Sequence, residues 1–101
     1  MNIPKQLKIG GKVYAVDITN NLSLGCDYSG EIIYNDLKIN IRPSAPAKME
    51  ADFVHEMVHG IFQHLGYYEH DEKKIEELAE MIYAVIVDNP ELFKEERRQD
   101  V

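Results

Sequence analysis

Residues 55–59 read His55-Glu56-Met57-Val58-His59, two histidines four apart with a glutamate directly after the first. On a helix, residues four apart stand above one another, so both imidazoles can reach a single ion. Glu56 sits one position round the helix, close enough to reach a water on that ion without being forced to bind it. That is where a general base must stand. The flanking segment from Ala51 to Leu65 carries apolar residues at helical spacing. On a wheel of about 100° per residue with Val54 at zero, Ala51, Met57, Val58, Ile61 and Leu65 fall within about 60° and form the expected buried stripe. His55 and His59 fall at about 100° and 140°, on one shoulder of that stripe and facing a cleft. A lone core-edge histidine is usually a packing residue satisfied by hydrogen bonds. The five-residue pattern on a helix instead favours a zinc site.

A catalytic zinc site needs a third protein ligand, with a fourth position left for water. Glu76, Glu77, Glu80, His64 and His70 are the candidates. With Ile75 at zero, Glu76 falls at about 100° and Glu80 at about 140°, the same shoulder arrangement as the histidines, while Glu77 at about 200° points away from the core. Glu76 is therefore the expected third ligand. Glu80, one turn on, is placed to accept a hydrogen bond from the far nitrogen of a ligating histidine. His70 is the rival, but a three-histidine site calls for glycine three residues after His59, and Phe62 stands there. His64 lies on the opposite shoulder of the first helix.

The elements that hold these residues follow from alternation and turn chemistry. Leu7 to Asp17 reads as a hairpin turning at Gly10-Gly11, and Glu31–Tyr34 with Leu37–Ile41 as a second hairpin turning at Asn35-Asp36. The second run alternates apolar and polar residues, which predicts one buried face. The metal helix is expected from an N-cap at Ser44, with Pro46 in the first turn, to Gly66. A second helix is expected from about Asp71 to Asp88, with Ile75, Leu78, Ala79, Ile82 and Ile86 as its apolar stripe and Asn89-Pro90 as its stop. The tail from Glu91 to Val101 reads as a frayed helix or disorder. The expected fold is α+β: an N-terminal antiparallel β-meander of two hairpins packed on two helices, in one domain spanning 1–101.

A chain of 101 residues, 45% hydrophobic, supports one core. Cys26 is its single cysteine, so neither an internal disulfide nor a thiolate zinc cluster can form. A net charge of −7 without a basic stripe argues against nucleic-acid binding. No run is long and apolar enough for a membrane span, and the start lacks a secretory apolar run, so a cytoplasmic location is expected.

Helix for helix, the chain resembles the gluzincin metallopeptidases, in which H-E-x-x-H is followed about twenty residues later by a glutamate on a second helix. The succession of meander, His55-Glu56-Met57-Val58-His59-Gly60-Ile61, Ile75-Glu76-Glu77-Leu78-Ala79 and Asp88-Asn89-Pro90 is similar to short phage and prophage proteins related to the ImmA/IrrE family. The resemblance implies Zn2+ held by His55, His59 and Glu76, with Glu56 as general base and Glu80 as an acidic residue behind the ligands. The expected activity is hydrolysis of a peptide or protein substrate, the substrate lying along the free edge of the meander, near Leu37 to Ile41 if that strand is outermost. Tyr67, Tyr68, His70 and Tyr83 are candidates to stabilise the oxyanion. The alternative is a zinc-binding phage or prophage interaction module with little or no protease activity.

Overall fold

In the computed structural model, which describes residues 1–93, four strands precede two helices and a short 3-10 turn. Strands β1 (Gln6–Ile9) and β2 (Lys12–Ile18) pair antiparallel. The turn between them uses Gly10 and Gly11 at φ 57° and 86°, the left-handed values of a two-residue hairpin, which side chains resist. Strands β3 (Gly30–Ile33) and β4 (Lys38–Ile41) form the second hairpin.

The α+β class and both hairpins are as expected, but the hairpins meet through a parallel β2–β4 pair, giving the order β1-β2-β4-β3. The chain between β2 and β4 is long enough for such a parallel return. As a result β4 is central, and the expected free edge along Leu37–Ile41 must be corrected: the open edges belong to β1 and β3.

Both faces of the second hairpin are covered. Ile39 and Ile41 are fully buried against the helices. On the other face, Glu31 and Asn40 stand opposite one another, also buried. The Glu31 carboxylate accepts from Asn40 Nδ2 at 2.7 Å and from the Ser23 and Leu24 backbone N–H groups at 3.0 Å each. Arg42 donates to the carbonyls of Asn20, Gly25 and Tyr28, closing the same loop. Burial by itself would raise the Glu31 carboxyl, but these three donors and the Arg42 charge outweigh it and hold it below the usual range.

Helix α1 (Pro46–His64) begins after Ala45, so the expected cap at Ser44 is corrected: Ala45 takes the position and no side chain caps the end. Its C-terminus closes at Gly66, φ 94°, with the Gly66 N–H on Gln63 O at 3.1 Å and the Tyr67 N–H on Phe62 O at 3.0 Å. This is a Schellman motif, which satisfies carbonyls the helix would otherwise leave open. Helix α2 (Glu72–Asp88) starts under Asp71, whose side chain accepts from the Lys73 and Lys74 N–H groups. A 3-10 turn, Pro90–Phe93, follows; the rest of the tail expected to fray lies outside the described residues.

Phe53, Val54 and Val58 of α1 join Tyr14, Val16, Ile39 and Ile41 of the sheet and Ile75 and Ala79 of α2 in one core. Gly60 lets α1 approach the sheet, since a Cβ there would lie 2.7 Å from Ile9 Cδ1 and 3.0 Å from Ile32 Cδ1. The helices run antiparallel, for Glu50 meets Tyr83 near one end while His55 and His59 meet Glu72 near the other. The first residue of α2 thus lies level with His55 and His59, and α1 continues past it. Ile61 and Leu65, expected in the buried stripe, are accordingly 37% and 65% exposed, and Leu78 of α2 is 41% exposed.

Candidate metal centre

His55 and His59 project from α1 with ring centroids 4.9 Å apart, as their four-residue spacing requires. Glu72, the first residue of α2, reaches both. Its Oε1 lies 2.8 Å from His55 Nε2 and its Oε2 lies 3.1 Å from His59 Nε2. One ligand atom from each of the three residues falls within 4.8 Å of the others, the span that a single cation needs. Two imidazoles and one carboxylate are a donor set suited to a divalent metal of zinc's character.

The acidic member is therefore Glu72, where Glu76 was expected. Both residues lie on the same side of α2, at about 60° and 100° from Ile75 on the wheel, and differ by one turn along its axis. The wheel gives the side of a helix and says nothing about the height at which it meets its neighbour. Glu76 and Glu80 instead line a cavity of about 320 Å³ beside His55, together with Asp52 and Tyr83. Among the described residues, Glu80 makes no hydrogen bond to either imidazole; the partner behind His59 is His70, Nδ1 to Nδ1 at 2.7 Å. Glu77 is exposed, and His64 is turned to the sheet, 3.1 Å from the Tyr14 hydroxyl.

Glu56 is buried at 8% exposure beneath β3, where a Cβ on Gly30 would lie 3.3 Å from its Oε2. Burial, followed by the charges of Glu72, Asp52 and Glu31, pushes its carboxyl up to about 8. Burial lowers His59, with the rings of His55 and His70 acting in the same direction against the pull of Glu72. A neutral imidazole is the form that ligates a metal. Tyr34, which no motif singled out, borders the site, with its hydroxyl donating to the His59 carbonyl at 3.4 Å. Burial and the nearby carboxylates of Glu56 and Glu72, with Tyr14, push this phenol up to about 12. Of the tyrosines expected near the chemistry, Tyr67 and Tyr68 are exposed and Tyr83 donates to Glu50 at 3.0 Å.

Family models, curated proteins and solved structures were compared with the chain, and none matches it. The functional reading therefore rests on the site itself.

Proposed function

We propose that the chain is a zinc-dependent peptidase in which His55, His59 and Glu72 hold the ion and Glu56 is the general base. The observation that carries this reading is the meeting of two imidazoles and a carboxylate within 4.8 Å, beside a buried glutamate on the same helix as both rings. A zinc ion bound there would polarise a peptide carbonyl, acidify a water molecule and favour the ionised form of Glu56. Glu56 takes the proton of the attacking water and passes it to the leaving amine. Its burial excludes bulk water from that transfer and keeps the carboxylate basic.

A peptide substrate pairs with the open edge of β3, in place of the interior strand β4. Gly30 at the start of that edge keeps side-chain bulk away from Glu56. The test is Glu56→Gln, which conserves shape and removes the base. Zinc content should be unchanged, and cleavage of a peptide library should fall by about 10²- to 10⁴-fold. Cleavage at the wild-type rate in that variant refutes the role of Glu56. A wild-type chain that binds zinc and cleaves no peptide supports the interaction module instead.

A further inference from the structure

We infer that His70 is the positioning residue of His59, deciding which ring nitrogen of His59 offers a lone pair to the cluster; the inference rests on the metal reading above. His59 faces Glu72 through Nε2, 3.1 Å from Oε2, and faces His70 through Nδ1, 2.7 Å from the Nδ1 of that ring. The two rings meet edge to edge, with centroids 5.0 Å apart and planes at 21°. Phe62 packs against the edge of His70 at 5.9 Å, so the second ring is itself held.

A short contact between two neutral imidazole nitrogens contains one proton, so one ring donates and the other accepts. Two arrangements satisfy the geometry. When the Nε2–H of His59 is donated to Glu72, the Nδ1 of His59 is a bare acceptor, and the Nδ1–H of His70 fills it. When the Nε2 lone pair of His59 is given to a metal, the His59 proton stands on Nδ1, and His70 must accept it. Passing from the first to the second moves the Nδ1 proton of His70 onto His59 Nδ1. The proton leaving His59 Nε2 is replaced, by way of solvent, with one on His70 Nε2. Each ring keeps one proton and the pair keeps its charge.

A backbone carbonyl or a carboxylate at the place of His70 Nδ1 could only accept, and would serve the second arrangement alone. Histidine serves both, which gives a reason for this residue type behind His59. Among the described residues His70 Nε2 is buried with no hydrogen-bond partner. Nδ1 is the atom through which the ring is tied to the site, and the second arrangement requires a water molecule to reach Nε2 as it takes its proton. His70 is absent from the cluster of possible ligands.

Long-range proton–nitrogen correlation spectra of the full ¹⁵N-labelled chain, recorded without metal and with one equivalent of zinc, read both rings directly. Without metal, His59 should carry its proton on Nε2 and His70 on Nδ1. With zinc, His59 should be protonated on Nδ1 and ligated through Nε2, while His70 is protonated on Nε2 and ligated through neither nitrogen. A ligation shift on His70, or a His70 tautomer unmoved by bound zinc, overturns the inference and leaves the metal reading standing. A wild-type chain that binds no zinc overturns the metal reading and the inference with it.

In competition titrations His70→Ala should weaken zinc binding about 10- to 100-fold, and His70→Asn, whose side-chain oxygen can accept near the place of Nδ1, should recover most of that loss. Undiminished affinity in His70→Ala overturns the inference. Should that variant fail to fold, the wild-type spectra decide.

Discussion

At the scale of single residues, Glu56 and Glu72 have opposite needs. Glu72 is two-thirds exposed on its side chain and accepts two imidazoles, a sound arrangement for a ligand. Removing it should cost most of the zinc affinity, whereas Glu76→Ala should bind zinc within a few-fold of wild type. A competition titration with a chromogenic chelator separates the two, and equal losses would return Glu76 to the ligand set. Glu56 is buried among other carboxylates, and its folded-state pKa of about 8 lies above the ordinary 4.5.

A raised pKa means that the folded chain keeps a proton which the unfolded chain loses. The associated stability is fully present below about pH 4.5 and is lost as the pH rises towards 8. Metal-free Glu56→Gln should thus gain stability over metal-free wild type across that window, by on the order of a few kcal/mol at its upper end. Denaturant melts of chelator-treated protein at pH 5 and pH 8.5 measure this, and a gap that does not widen with pH contradicts it.

At the scale of elements, the site depends on where α2 begins. Asp71 caps that helix, and Glu72 is its first residue, so the cap and the proposed ligand share one turn. Asp71→Ala should cost about 1 kcal/mol of stability, within the usual range for a lost N-cap. Because the freed turn carries Glu72, zinc affinity should also fall several-fold, while Asp71→Ser should keep both. Thermal melts and zinc titrations on the same variants check the pairing; a stability loss with unchanged affinity would uncouple cap from ligand. Gly60 and Gly30 do comparable work on the sheet side, the first admitting α1 to β1 and β3 and the second admitting β3 to Glu56.

At the scale of the whole molecule, the cluster ties the start of α2 to the middle of α1, so a bound ion should stabilise the entire fold by mass action. Free zinc at about 100 times its dissociation constant adds about 2.7 kcal/mol. For a domain of this size that raises the melting temperature by roughly 10–20 °C. His59→Ala should abolish the rise, and calorimetry with and without zinc records it.

The parts of this molecule that depend on neighbours in the chain could be read from the residue string: the two hairpins, the Gly10-Gly11 turn, the ends of both helices to within a residue or two, and the paired imidazoles with Glu56 between them. These follow from backbone dihedrals and from 3.6- and 2-residue periods, which are properties of adjacent residues. What joins separate elements depended on packing. The parallel junction of β2 with β4, the burial of Glu31 against Asn40 under a loop, the exposure of Ile61 and Leu65, and the choice of Glu72 over Glu76 all turn on how far one element slides along another. A helical wheel carries no information about that slide. The single turn separating the two glutamates was decided by the connection from Leu65 to Asp71 and by the fit of Ile75 and Ala79 against α1, because only packing fixes height along a helix axis.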